Sequence, residues 1–590
     1  MTTKETAKEK AHYLRRGKRV GSMLLAFTGL LMLSMASYAQ EKSGEVLKQL
    51  EKKETLPAEK PAAPVIQQQK DSKEQGAESQ GEKIHITKIT VQGATLLDQT
   101  VLDTIIAPYQ NKDLTLAEIN AAADAITAAY RAKGFLAAYA YIPAQDIKDG
   151  IIIIQVIEAK TGNITITGNQ NYTTAFIQGH LQKVQQAPTI KEQTLERALM
   201  LLNDYPSLNV NGALKPGTEP GTTDIAITAT DKYPISATLS YDNFGTETLS
   251  KHRLSLVIDK GSTITDGDAI RLSGVTGLDR IDINKLSYGR IDYILPIDYN
   301  GTKAGIYYGN SLYQAGQELA PLKINGKADI TGLFITHPII KKADTTLLLK
   351  FGFDYKDVYD YMLDSIRSQD KIRTIGLGIN YDTTDNLLFN QTARNIIGLS
   401  YYRSVQTITG GTGRNDAKAS RLNADPEFNK YTLDIVRIQK LTNNGYNHLI
   451  IKASGQYSPE PLFIAEQYTI GGAGSVRGFK PSTFSGDSGY NVTLEFQTSP
   501  IFSDETISII NNQKIGDTIK LALFIDNGWV QRNNRQPGEA EDDDLLGIGA
   551  GIRLYIGKNF SAKIDYALPE KKGDFKTENS EIYAQAAVGF

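Results

Sequence analysis

The chain of 590 residues has no cysteine and a single tryptophan. Without thiols there is no disulfide scaffold, no thiolate metal site and no cysteine nucleophile. The six histidines are scattered, with neither H-E-x-x-H nor a metal-ligand pair, and read as solvated or loop residues. Formal net charge is −2 at pH 7, so no basic footprint points to nucleic acid. No G-x-G-x-x-G follows a strand and opens a helix, and no G-x-x-x-x-G-K-[ST] occurs, which leaves nucleotide binding unsupported. Beyond Ala39 no apolar run approaches the ~18 residues that a spanning helix requires. Insertion of the mature chain into a membrane therefore has to use strands.

The first forty residues have the grammar of an export signal. Arg15, Arg16, Lys18 and Arg19 precede an apolar run from Met23 to Leu33, and Ser37-Tyr38-Ala39 supplies a small-x-small cleavage site. We read 1–39 as a signal peptide. A short charged helix follows within 40–56, with Val46, Leu47 and Leu50 on one side. The stretch 57–82 is rich in Pro, Gln, Glu, Lys and Ser; it buries too little apolar surface to offset its ordering entropy and is expected to be a flexible linker.

From 83 onward a globular pattern appears twice. In 83–159 an alternating strand, Ile84 to Val91, leads into two helices. The second opens with the capping box Thr115-x-x-Glu118, carries Ile119, Ala122, Ile126 and Tyr130 on one stripe, and ends at Gly134. Strands at Ala138 to Ile142 and Ile151 to Glu158 close the unit. In 160–233 the order repeats: a strand at Ile164 to Thr167, a helix from Thr173, a second helix from Thr189-x-x-Glu192 with Leu195, Leu199 and Leu202 aligned, and strands at Leu208 to Leu214 and Asp224 to Thr230. Two β-α-α-β-β units specify a fold, not a function.

Across 234–590 the helical period disappears. In Leu347-Leu349-Phe351-Phe353-Tyr355 one face is apolar while Lys350, Gly352 and Asp354 occupy the other. Tyr490, Val492, Leu494 and Phe496 oppose Asn491, Thr493, Glu495 and Gln497, and the last segment runs Ile582-Ala584-Ala586-Val588-Phe590. A soluble sandwich alternates too. It has no use, however, for so large a polar interior, whereas a water-filled lumen does. About 350 residues at about 22 per strand plus loop accommodate roughly 16 strands of an antiparallel membrane barrel. The polar stretch Thr409 to Asn429 is expected to be an accessible surface loop.

Two stretches are more specific than periodicity. One runs Tyr130-Arg-Ala-Lys-Gly134-Phe135 through Ala140-Tyr-Ile-Pro143-Ala-Gln145-Asp146 to Val156-Ile157-Glu158. The other runs Glu466-Gln467-Tyr468-Thr-Ile-Gly471-Gly472 through Val476-Arg477-Gly478-Phe479 to Gly486-Asp487-Ser488-Gly489. Both resemble the outer-membrane transporters of two-partner secretion, the haemolysin- and adhesin-secreting branch of the outer-membrane assembly superfamily. Leu214-Lys-Pro-Gly217 and Tyr241-Asp242-Asn243-x-Gly245, where the barrel begins, are also similar to that family. The resemblance spans nearly the whole chain: plug-like helix, linker, two polypeptide-transport-associated (POTRA) domains, barrel.

That resemblance implies that Val476, Arg477, Gly478 and Phe479 tip a long loop folded back into the lumen, with Arg477 paired to Asp526 of a Phe-x-Asp motif that begins at Phe524. The alternation agrees independently: Leu521, Leu523 and Ile525 form the apolar face, which turns Phe524 and Asp526 inward. It further implies a large secreted exoprotein as cargo, outer-membrane lipids around the barrel, the barrel assembly machinery as a biogenesis partner acting on a C-terminal signal at Phe590, and a monomeric transporter without cofactor. Gly486-Asp487-Ser488-Gly489 superficially resembles a serine-protease nucleophile. Tyr490 stands where a second glycine would follow, no suitable histidine accompanies it, and no enzyme is expected. Two functional readings stay open. A secretion channel is favoured by the two POTRA-like units with the short helix; an assembly factor that folds barrels into the membrane is the alternative, and a passive porin has no need of the units.

Overall fold

The computed structural model describes residues 42–51, 64–68, 83–279, 285–500, 506–507, 513–536, 538–557, 559–570 and 579–590. The leader expected at 1–39 and most of 57–82 lie outside these residues. The described chain opens with helix α1 (Ser43–Glu51) and a three-residue strand, β1 (Ile66–Gln68).

In the first unit β2 (Ile84–Ile86) and β3 (Lys88–Gln92) replace the single strand expected at Ile84 to Val91. The break falls at Thr87, whose amide donates to the Gly150 carbonyl (2.8 Å) instead of a ladder partner. Helices α2 (Gln99–Ile106) and α3 (Leu116–Ala132) follow, separated by β4 (Lys112–Leu114). The capping box of α3 forms as expected: the Thr115 hydroxyl accepts from the Glu118 amide and the Glu118 carboxylate accepts from the Thr115 amide. Strands β5 (Ala138–Tyr141) and β6 (Ile151–Glu158) complete a sheet in the order β3-β6-β5. The inward stripe of α3 packs on Ile152 and Ile154, and Ile119, Ile126 and Tyr130 are fully buried.

The second unit contains β7 (Lys160–Thr167), α4 (Thr174–Gln185), α5 (Glu192–Leu202), β8 (Leu208–Pro216) and β9 (Thr222–Asp231). The helix expected to start from Thr189-x-x-Glu192 begins only at Glu192. The Glu192 amide donates instead to the Gly134 carbonyl of the first unit (2.8 Å), so a contact between units takes over from a local cap. The sheet order is β1-β8-β9-β7, and β1 runs parallel to β8 in the register Ile66 to Gly212. At 66–68 the chain is thus a strand where irregular linker was expected: the outer edge of β8 offers backbone partners that composition alone does not reveal.

From Ile235–Asp242 to Glu581–Gly589, sixteen antiparallel strands close on themselves. The first strand pairs with the last in the register Ser240 to Ala587. Closure satisfies every edge, the condition for placing strands in lipid. On Ile519–Gln531 the outward residues Leu521, Leu523 and Ile525 are 44%, 61% and 43% exposed while Ala522, Phe524 and Asp526 are buried. The same rule turns Phe351 and Tyr355, and Leu494 and Phe496, to the outer wall.

The second unit sits against one end of the barrel. Phe176, His180 and Tyr205 stack edge-on around Tyr299 of a short turn. Arg197 donates to the Pro338 carbonyl (2.7 Å), and Lys341 pairs with Asp204 (2.7 Å). Burial holds the His180 imidazole below its ordinary pKa, and its two nitrogens meet the Phe176 carbonyl (3.0 Å) and the Tyr205 hydroxyl (3.1 Å). The long connections 405–428, 458–487 and 532–541 lie at the opposite end.

Phe590 exchanges two hydrogen bonds with Ala237 (2.8 and 3.2 Å), extending the seam between last and first strand, and its ring is 75% exposed on the outer wall. Deleting Phe590 removes both bonds and the terminal aromatic. The expected outcome is a smaller fraction of heat-modifiable, folded barrel on cold gels; wild-type folded amounts would contradict it.

Candidate functional site: the filled lumen

Loop 458–487 leaves the barrel after His448–Tyr457, enters the lumen and rejoins the wall at Ser488–Thr498. A short 3-10 turn (Ile464–Glu466) and a two-stranded clip between Tyr468–Ile470 and Phe484–Gly486 stiffen its base. Its tip is Val476 to Phe479. Val476 and Phe479 are buried with Ile470, Val530 and Leu545. Gly478 has φ +98°, and a Cβ there would meet the backbone of Leu568 and Pro569 at 2.8–3.1 Å, so glycine alone fits. The tip also presses on Gly547, whose missing side chain leaves room for the Arg477 carbonyl.

Arg477 and Asp526 are brought together. Arg477 Nε and Nη2 donate to the two Asp526 oxygens at 2.7 and 3.0 Å, and its amide adds a third bond (3.1 Å). The guanidinium lies 3.3 Å above the centre of the Phe524 ring, which gives both members of the Phe-x-Asp motif a contact. Sequence reasoning missed the rest of the cluster. Arg477 Nη1 also donates to Glu495 (2.9 Å) and Asp565 (3.2 Å), and Arg553 bridges the same two carboxylates. Glu495 was legible as lumen-facing, but nothing in the sequence says which inward carboxylates converge. Tyr583 completes the seat: its hydroxyl donates to the Phe479 carbonyl (2.7 Å) and accepts from the Gly478 amide (3.1 Å).

Helix α1 lies in the same lumen. Asp360 of the inner wall sits at its N-terminus, accepting from the Ser43 amide (2.8 Å) and hydroxyl (2.7 Å) and from the Tyr313 hydroxyl (3.1 Å). A carboxylate there satisfies orphan amides and complements the helix dipole. Val46, Leu47 and Leu50 bury their side chains in one cluster with Phe428, Leu462 and Phe463, so the expected apolar side is the packed side. Lys48 donates to the Gln467 carbonyl, and Gln49 to the Ser482 hydroxyl (3.1 Å). Glu51 reaches Arg290 (3.7 Å). Next to the Lys48 contact, Glu466 is held by Lys356 (2.8 Å) and Lys430. A cavity of about 760 Å³, bordered by Arg253, Arg271, Arg290 and Asp292, remains beside the helix.

A closed barrel with two β-α-α-β-β units at one end, its lumen filled by its own helix and loop, defines an outer-membrane transporter built with POTRA domains. A family model described as "Haemolysin secretion/activation protein ShlB/FhaC/HecB" matches residues 221–554, and "POTRA domain, ShlB-type" matches 84–159. The chain belongs to the ShlB/FhaC/HecB family. It is 23% identical over 556 residues to the heme/hemopexin transporter protein HuxB of Haemophilus influenzae, covering 92% of this chain and 93% of that protein. It is 22% identical over 531 residues to the outer membrane transporter CdiB of Escherichia coli, covering 88% and 84%. The solved structure of CdiB from Escherichia coli superposes with a TM-score of 0.68 at 21% identity, over 90% of this chain and 94% of that one. The POTRA units of the family are periplasmic, which turns the barrel end that carries the connections 405–428, 458–487 and 532–541 to the cell surface.

The cluster predicts unequal effects for its two expected members. Arg477→Ala leaves three buried carboxylates facing one guanidinium; breaking a buried pair costs ~3–5 kcal/mol. Asp526→Ala leaves Arg477 two carboxylates and should cost less, about 1–2 kcal/mol. Chymotrypsin accessibility of loop 458–487, which carries Tyr468, Phe479 and Phe484, checks this in folded barrel. Exposure is expected in the order Arg477→Ala above Asp526→Ala above wild type, with the double variant no worse than Arg477→Ala. Additive exposure would contradict the shared cluster.

Proposed function

We propose that this outer-membrane transporter of two-partner secretion exports one large, haemolysin- or adhesin-like partner protein in an unfolded state, threading it through the lumen that α1 now occupies. The carrying observation is that the obstruction is a segment of the chain's own N-terminal part, held by hydrogen bonds that water can replace and by only three apolar side chains. On this reading α1 leaves and the cargo takes its place. No nucleotide is hydrolysed: direction comes from folding outside, which opposes return. The chain makes and breaks no covalent bond of the cargo.

Reception begins in the periplasm. An extended segment gains main-chain bonds by adding to a free sheet edge, and alternate side chains then face the sheet. In the first POTRA unit β5 is such an edge, and it exposes Tyr139 and Tyr141. In the second unit the edge of β8 is taken by β1 of the same chain, so cargo engaging there displaces Ile66–Gln68. The same reading has the barrel working as a monomer, with lipids against its apolar belt, after delivery by the assembly machinery through the strand ending at Phe590.

Two measurements test this reading. Removing 42–51 should raise single-channel conductance in planar bilayers; unchanged conductance would deny α1 the role of plug. Comparing culture-medium and outer-membrane proteins of cells with and without the chain separates the two functional classes. The expected result is loss of one large polypeptide from the medium, with other barrels unchanged. Depletion of many barrels would identify an assembly factor instead.

A further inference from the structure

The Gly486-Asp487-Ser488-Gly489 stretch has no part in the Arg477 cluster, yet Asp487 is among the most heavily bonded carboxylates of the described residues. It is fully buried. Both its oxygens accept from Arg421 Nη1 (2.9 and 2.8 Å), one from the Leu462 amide (2.8 Å) and the Gln467 side chain (3.1 Å), and the other from the Asn533 amide (2.7 Å). These donors come from three different extracellular connections: Arg421 from 405–428, Leu462 and Gln467 from 458–487, and Asn533 from 532–541. Arg421 extends the joint, donating to the Asn533 carbonyl (2.8 Å) and to Glu539 (3.3 Å).

The loops so joined lie over the barrel's outer mouth. The stretch expected as an accessible surface loop, Thr409 to Asn429, exposes 413–418 as expected but buries Thr412, Arg421, Ala424 and Phe428. The correction has a physical cause: its apolar residues roof the lumen, and Ala424, Phe428, Leu462 and Phe463 pack in one cluster with Val46, Leu47 and Leu50 of α1. Further main-chain ties hold the roof: the Ile464 amide donates to the Ser420 hydroxyl (3.1 Å), the Asp425 amide to the Pro461 carbonyl (2.8 Å) and the Gln536 side chain to the Leu422 carbonyl (2.8 Å).

We propose that Asp487 is the clasp of an extracellular lid, a second restriction in series with α1 that narrows the mouth against a polypeptide without sealing it to ions, and that Arg421 must part from it before a chain can emerge. This deepens the export reading and rests on it. A polypeptide moving outward past the site of α1 meets the underside of 405–428 and 458–467. The roof's polar bonds converge on one buried carboxylate, and parting Arg421 from it also uncovers Ala424, Phe428, Leu462 and Phe463, so the clasp holds the roof down until a chain presses on its underside. The glycines at 410, 411 and 413 give the roof loop backbone freedom for that movement.

The test reads potassium chloride conductance in planar bilayers and needs no cargo, so it stands or falls apart from the export reading that the protein comparison examines. In a chain lacking 42–51, Arg421→Ala or Asp487→Asn should raise conductance beyond that of the plug deletion alone. The absence of native cysteine allows a complementary arm. Ser420→Cys with Ile464→Cys in the plugless chain carrying Asp487→Asn should, on oxidation, hold conductance at the clasped level, and reductant should raise it again. Heat modifiability confirms folding of each variant; if Arg421→Ala does not fold, Asp487→Asn and the cysteine pair decide. Equal conductance with the clasp intact and broken, together with indifference to oxidation of the formed disulfide, would overturn the proposal.

Discussion

Backbone in lipid must satisfy its own hydrogen bonds, so a strand-built membrane protein has to close. Closure with sixteen strands encloses a lumen wider than wall side chains can fill, and the rest of the molecule follows from that surplus. A transporter resting in a membrane has to fill it, and polar walls require a filler that meets them with polar groups. The chain supplies two fillers, the tip of loop 458–487 and α1, and fixes them by different physics.

The loop tip is seated by charge. Arg477 lies among Asp526, Glu495 and Asp565 with its plane on Phe524, and the neighbouring backbone approaches the wall where only Gly478 and Gly547 leave room. Removing such a group from its partners leaves buried charge behind, which makes this the stationary filler. Helix α1 is different. A wall carboxylate holds its first turn, carbonyls of the loop hold Lys48, and only three side chains form its apolar face. Water can take over its polar contacts as it leaves. At the periplasmic end, the aromatic packing of Phe176, His180, Tyr205 and Tyr299 ties the second POTRA unit to the barrel.

Much of this is legible in the sequence because the side-chain period of a strand is two and lipid and lumen differ sharply in polarity. The alternation of Leu521, Leu523 and Ile525 is enough to turn Asp526 inward, and the family resemblance supplies Arg477 as its partner. Alternation gives direction, not register. Glu495, Arg553 and Asp565 stand on three different strands, and their convergence depends on pairing offsets that no local pattern encodes. Two other misses share a cause. The helix expected from Thr189 starts only at Glu192, whose amide finds the Gly134 carbonyl of another unit, and Ile66–Gln68 becomes a strand because β8 offers an edge. For α1, Val46, Leu47 and Leu50 announce a buried side without saying what buries it.

The central claim is that α1 occupies the conduit at rest and vacates it during export. Val46 is 2% exposed, close in size to cysteine, and would carry the only thiol in an otherwise cysteine-free chain. The most direct measurement is the reaction of a Val46→Cys transporter with a membrane-impermeant maleimide, in cells with and without cargo in transit. The account predicts a protected thiol at rest and a labelled one during export. Equal protection in both conditions, with cargo reaching the medium, would contradict it.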